Sequence, residues 1–153
     1  MVWWIVAALA GNGILSGLSL DKVIVQLPAR RRIGSISYAA YARAADLGHG
    51  VVLYAVTGVG TALVTVAAFG YAVVSEASTV TTGWLGAAAA LSLLHSAATA
   101  VAAPTMMRIG RSADREEILA PLLTRFARAS AIRAVLQVAT LATVLAVAAG
   151  NLQ

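Results

Sequence analysis

Four long apolar stretches, at about residues 3–27, 48–74, 82–103 and 130–150, constrain this chain more than any other feature. Each meets the requirement of roughly 20 mostly apolar residues for a helix that crosses a bilayer. Hydrophobic residues make up 60% of the 153 and charged residues only 11%, against roughly 25% charged in an ordinary globular domain. A soluble protein of this length could not hide so much apolar surface, whereas a bilayer is itself the apolar solvent. The expectation is one transmembrane domain over residues 1–153, an all-α integral membrane four-helix bundle in the cell membrane.

The ends of the stretches carry their own signals. The first is apolar through Leu20, meets Asp21 and Lys22, and resumes as far as Leu27, where Pro28 is expected to stop it. Pro104 is expected to end the third, and Gly150-Asn151 the fourth. Residues 1–20 contain no Lys or Arg, so the first stretch lacks the basic start of a cleaved signal peptide and reads as a retained helix.

Basic residues sit on one side only. The first connection holds Arg30, Arg31, Arg32 and Arg43, and the third holds Arg108, Arg111, Arg115, Arg125 and Arg128, with Arg133 just inside the fourth stretch. The second connection, residues 75–81, has no basic residue and carries Glu76. By the positive-inside rule the first and third connections are expected in the cytoplasm and both termini outside, an N-out/C-out topology. The net charge of +5 is thereby accounted for, and no nucleic-acid partner is expected, since no basic helix carries interleaved aromatics.

Both basic connections exceed simple turns. Residues 33–47 are expected to extend the second helix inward. Residues 114–128, acidic early at Glu116 and Glu117 and basic late at Arg125 and Arg128, suit a helix macrodipole and should run into the fourth helix. Arginines there would rest on lipid phosphates. The pairs Gly13/Gly17 and Ala98/Ala102, with Gly58 and Gly60, are expected to let helices approach closely.

Ionisable groups within a span cost around 2.5–3.5 kcal/mol each on insertion scales, so they mark places to look for function. His95 lies deepest, near the middle of the third span; Asp21 sits on the cytoplasmic side of the first helix's midpoint. Tyr54 and Gln137 fall in the same half, with Arg133 and His49 nearer the headgroups. These residues form one polar layer, in which His95 would exchange a proton and Asp21 would orient it or stabilise its charge. Lys22, Arg133 and His49 are read as snorkelling. Arg43, Asp46 and His49 follow i, i+3, i+6 and are expected to pair along one helix face, with Asp46 and His49 as secondary candidates. The layer reads either as a polar pocket open toward the cytoplasm or as a satisfied network that fixes helix register.

Other chemistries find little footing. With no cysteine, disulfides, zinc–thiolate sites, iron–sulfur clusters and thiol catalysis are excluded. A bis-histidine haem would need His49 facing His95, whose depths differ by well over a helical turn, and no Glu-x-x-His pair of the di-iron type occurs. No metal and no cofactor are expected. Gly58-Val59-Gly60 lies mid-span and does not follow a strand, so it is no nucleotide loop.

Three local patterns are shared with a known group: Leu27-Pro28 closing the first stretch, Pro104 before a basic connection, and the entry to the fourth stretch, Phe126-Ala127-Arg128-Ala129-Ser130-Ala131-Ile132-Arg133. In these the chain resembles small bacterial four-helix membrane proteins of unknown function related to the fungal anthrone oxygenases. Arg133 matches the basic position of that group's entry pattern, and Ala129 and Ser130 stand where it has Trp-Asn. The resemblance implies a bundle that binds a flat, hydrophobic phenol- or quinone-like molecule, oxidised with O₂ without a bound cofactor, with His95 or Asp21 supplying the base.

The expected function is therefore a hydrophobic small-molecule site in the cytoplasmic half of the bundle, with cofactor-independent oxidation as its chemistry. The other readings are a non-enzymatic accessory or assembly subunit of a larger membrane complex, or a homo-oligomer, and last a small transporter.

Overall fold

The computed structural model describes residues 1–150, which form four long helical rods and no strand. All four are long and apolar enough to cross a membrane, and the chain is a multi-pass membrane protein.

The first rod joins α1 (Val2–Leu20), a π-helical segment (Asp21–Gln26) and α2 (Leu27–Ala45). Pro28 does not stop it. The proline falls in the first turn of α2, directly after the π segment. There the Leu27 N–H reaches back five residues to the Lys22 carbonyl. The wider turn gives the ring room where a tight α-turn would clash. The interruption comes instead at Gly34, whose φ of 81° and ψ of 162° belong to a region that essentially only glycine enters.

Beyond Gly34 the second half of α2 folds across the basic end of the bundle. Tyr38, Ala39 and Ala42 are buried against Met106, Leu123 and Phe126. Polar contacts fix it there: the Ser35 hydroxyl donates to Glu116 at 2.6 Å, and Arg43 pairs with Asp114 at 2.7 Å. Arg43 also donates to the carbonyls of Gly110 and Ser112. Residues 33–47 thus do not extend the second span inward. A turn at residues 46–48 separates them from α3 (His49–Val74).

After α3 the chain turns at Glu76, which takes a φ of 51°. Ser78 then caps α4 (Thr79–Arg111) by accepting from the Thr81 N–H. Pro104 lies inside α4 and does not end it. Proline is tolerated within membrane helices, where neighbouring groups take up the freed carbonyl. Residues 112–115 lead into α5 (Glu116–Gly150). Glu116 and Glu117 occupy its first turn, as the macrodipole favours, and the helix runs unbroken through Pro121. Asn151 lies outside the described residues.

Around the bundle the order is α1, α3, α4, α5, with α4 and α5 in the most extensive contact. Inward stripes repeat every three or four residues, as antiparallel bundles require. In α5 the stripe is Leu119, Leu123, Phe126, Ser130, Arg133 and Gln137. Ile5, Ala68, Leu85 and Val147 close the core at the end that carries the termini. Helix α3 contributes only from its second half: its buried residues are Thr61, Thr65, Ala68 and Ala72. Outward-facing residues such as Val56, Leu63 and Val135 are about two-thirds exposed and present the apolar face that lipid covers.

A close approach of α1 to α3 is at Gly11, where a Cβ would come 2.8 Å from the Thr61 hydroxyl oxygen. Gly13, Gly17, Gly58 and Gly60 face open space, so the glycine spacing singled out in the sequence is not a packing contact.

Candidate functional site

Midway along the bundle, α1, α3 and α5 meet through a closed polar network. Asn12 is fully buried. Its amide nitrogen donates to the Ala8 carbonyl and, at 2.9 Å, to the Thr65 hydroxyl. Its carbonyl oxygen accepts from Gln137 Nε2 at 2.8 Å. The Ser16 hydroxyl donates to the Gln137 backbone carbonyl. The bonds to Thr65 and Gln137 each tie two helices in fixed register. Gln137 therefore belongs to this network and not to the site above it.

One helical turn closer to the basic end the bundle opens into a cavity of about 460 Å³. All four rods line it, and α3 has no buried residue before Thr61, which leaves space beside α4. Its wall is mostly apolar, with Leu15, Leu18, Val59, Met106 and Phe126 among the contributors. Val51, Ala55 and Val59 of α3 and Ser96, Ala103 and Met107 of α4 line it while also being exposed on the bundle's outer surface. The cavity therefore opens sideways, between α3 and α4, into the lipid layer. A second hollow of about 570 Å³ at the opposite end has Glu76 as its one ionisable lining residue.

The polar groups of the cavity come from each element in turn. Lys22, from the π segment, is buried, with its ammonium 2.6 and 2.7 Å from the two carboxylate oxygens of Asp46. It also donates to Gln26 and lies 5.8 Å from the centre of the Tyr54 ring. The expected snorkelling of Lys22 is thus overturned: Asp46, on the turn that leads into α3, meets it inside the protein. Sequence spacing contained the signal. Ile5, Ala8, Asn12, Leu15, Ser19 and Lys22 follow the three-four repeat of the inward stripe, and Asp21 lies one residue, or about 100°, off it.

Asp21 is accordingly exposed and does not line the cavity. It accepts from Gln26 Nε2, which in turn holds Lys22, so it stands at the outer end of a chain of polar contacts running Asp21, Gln26, Lys22, Asp46. The π turn makes this possible by bringing residue 26 beside residue 21.

His95 is buried at 4% exposure and lines the cavity. Its Nδ1 lies 3.1 Å from the Arg133 backbone carbonyl. A carbonyl can only accept, so Nδ1 carries the hydrogen and the neutral ring keeps its lone pair on Nε2. Arg133 lines the same cavity, and its Nε is buried without a hydrogen-bond partner, as is the Ser130 hydroxyl one turn earlier. Arg133 is thus half-buried at the cavity wall, with its Nε enclosed.

Of the candidates read from the sequence, His95, Tyr54, Arg133 and Asp46 come together here. His49 is exposed and lies outside the cavity. The expected Arg43–Asp46–His49 face does not form, because the helix ends at Ala45 and a turn intervenes; Arg43 pairs with Asp114 and Asp46 with Lys22. Lys22, Ser130 and Thr99 are lining residues that the sequence reading did not select. Among the described residues no three His, Asp or Glu side chains group as a metal site would require.

Compared with protein-family models, curated proteins and solved structures, the chain matches none.

Proposed function

We propose that this protein binds a lipophilic, phenol- or quinone-like ring molecule drawn from the bilayer into the cavity between its four helices. One observation carries the reading: an apolar chamber open sideways to lipid, with Lys22, Tyr54, His95 and Arg133 concentrated at its wall. Ligand sites are commonly apolar chambers with a few convergent polar groups that fix orientation. The volume suits a compound of a few fused rings, and the lateral gap lets it enter without crossing water.

In this reading the ring lies among Leu15, Met106 and Phe126, and its oxygen faces the polar wall. His95 Nε2 is the base that takes a proton from the ring hydroxyl or from an activated ring CH₂. Either loss gives an electron-rich anion that reacts with O₂: the CH₂ becomes C=O, one oxygen atom staying on that carbon and the other leaving as water with the two hydrogens. The proposed relation to the anthrone oxygenases rests on the local patterns at Leu27-Pro28, Pro104 and residues 126–133. The polar groups that this chemistry needs line one chamber. Asp21 has no part in the proton step, since it lies outside the cavity.

The orientation belongs to the same proposal. The arginine-rich end faces the cytoplasm and both termini lie outside, a reading supported by the one-sided Lys/Arg distribution.

The test is retention of a hydroxyanthraquinone by the protein in lipid nanodiscs over empty discs, followed by the rate at which the matching anthrone is oxidised. Retention with an oxidation rate lost in His95→Ala supports the reading. An oxidation rate unchanged in His95→Ala removes the catalytic role, and no retention removes the site.

A further inference from the structure

Within the cavity the charges do not balance. Its ionisable lining groups are Lys22 from the π segment, Asp46 from the turn before α3, Tyr54 from α3, His95 from α4 and Arg133 from α5. Asp46 is the one carboxylate, and both its oxygens are on the Lys22 ammonium. Arg133 is left over. The ion pairs among the described residues are Lys22–Asp46, Arg43–Asp114 and Arg115–Glu117, and none includes it. Its Nε–H is buried and unbonded, and the neighbouring Ser130 hydroxyl is likewise without a partner. An arginine has five N–H donors, no acceptor and a charge it does not give up. Arg133 is half-buried, with its remaining guanidinium N–H groups available at the cavity wall, and a charge in apolar surroundings favours a partner of opposite sign. Among the described residues no carboxylate pairs with it, and a bound anion would.

We infer that the cavity holds its ligand as an anion, a phenolate or enolate whose charged oxygen rests on the Arg133 guanidinium with the Ser130 hydroxyl beside it. The inference deepens the proposed function and rests on it. It narrows the ligand class to acidic hydroxy-aromatics and excludes their ethers. It also divides the labour between two side chains one bond apart in the network. His95 Nε2 receives the proton, while its Nδ1 is anchored on the backbone of the residue that holds the resulting anion. The electron pair of the broken O–H bond stays on oxygen, opposite Arg133. Arg133 is thus the specificity-determining residue of the site, and a neutral side chain there would leave the ligand in its uncharged form.

Alizarin, a dihydroxyanthraquinone, separates the two claims, because its visible band moves to longer wavelength when a ring hydroxyl ionises. It is added to the protein in nanodiscs, and to empty discs, at a bulk pH where the dye in empty discs is neutral. Retention over empty discs reads the binding; the position of the band reads the charge. Retained dye is expected to show the ionised band, the protein lowering the pH at which it ionises by about 1–3, as an adjacent opposite charge does. Arg133→Gln is expected to lose the ionised band and Arg133→Lys to restore it, both in discs of unchanged size and helicity. Retained dye with a neutral spectrum, or an ionised band that survives in Arg133→Gln, overturns the inference and leaves the binding site standing. No retention by the unmodified protein overturns both.

Discussion

The ammonium of Lys22 lies 2.6 and 2.7 Å from the two carboxylate oxygens of Asp46, with both side chains about nine-tenths buried. This pair joins the first rod to the start of α3 at the edge of the cavity, at the point where α3 contributes no buried apolar side chain. Removing one partner of a buried pair strands the other charge, at a cost of about 3–5 kcal/mol, whereas replacing both with apolar residues is often neutral. Lys22→Met alone is expected to destabilise the protein by about that amount in a detergent unfolding titration. Lys22→Met combined with Asp46→Leu is expected to recover most of it. Equal losses in the single and double variants would show that the pair does not hold the rods together.

The mid-bundle network makes a smaller claim. Interhelical hydrogen bonds in membranes average about 0.6 kcal/mol and reach about 1.7. Gln137→Leu, which removes the 2.8 Å bond to Asn12, is expected to cost about 1 kcal/mol and leave ligand retention intact, since Gln137 does not line the cavity. Loss of retention at unchanged stability would place Gln137 back in the site.

Gly11 lets α1 approach α3 closely. A Cβ there would meet the Thr61 hydroxyl at 2.8 Å and its methyl at 3.3 Å, and a β-branched side chain in a helix has little rotamer freedom with which to yield. Gly11→Ala is expected to lower the melting temperature, and Gly11→Ala with Thr61→Ala to restore it. The same change at Gly13, which faces open space, is expected to be neutral.

Topology has a direct assay, because the chain has no cysteine. Single cysteines at Ser112, in the basic connection, and at Ala77, in the turn between α3 and α4, would be labelled in intact cells by a membrane-impermeant maleimide. Labelling at position 77 and not at 112 is the expected result, and the reverse would invert the orientation.

How much of this was legible in the sequence depends on which property a residue expresses. The four spans follow from hydropathy, and the stripe through Leu119, Phe126, Arg133 and Gln137 follows from spacing, so these could be read directly. The π segment could not, because an extra residue in a helical turn leaves no mark on an apolar run, and it is what carries the helix past Pro28. Gly34 lacks a flanking turn signal, so the fold-back of α2 across the basic end was read as an extension of the next helix. Within the site, depth was legible and facing was not used. Ranking by depth selected Asp21, whereas the three-four repeat puts Lys22 on the inward face. Partnership was invisible altogether: the pairing of Lys22 with Asp46 depends on a turn at residues 46–48 that interrupts the apparent Arg43–Asp46–His49 face.

The cavity in the basic half remains the central claim, and cysteine chemistry inside it is the most direct check. Thr99 lines the cavity, while Val135 is 70% exposed on the lipid-facing side of α5. Single cysteines at these two positions would be alkylated with a lipid-soluble maleimide, with and without a hydroxyanthraquinone in the bilayer. The compound is expected to slow labelling at position 99 and leave position 135 unchanged. Equal rates at position 99 with and without the compound, at a concentration that saturates the bilayer, would contradict it.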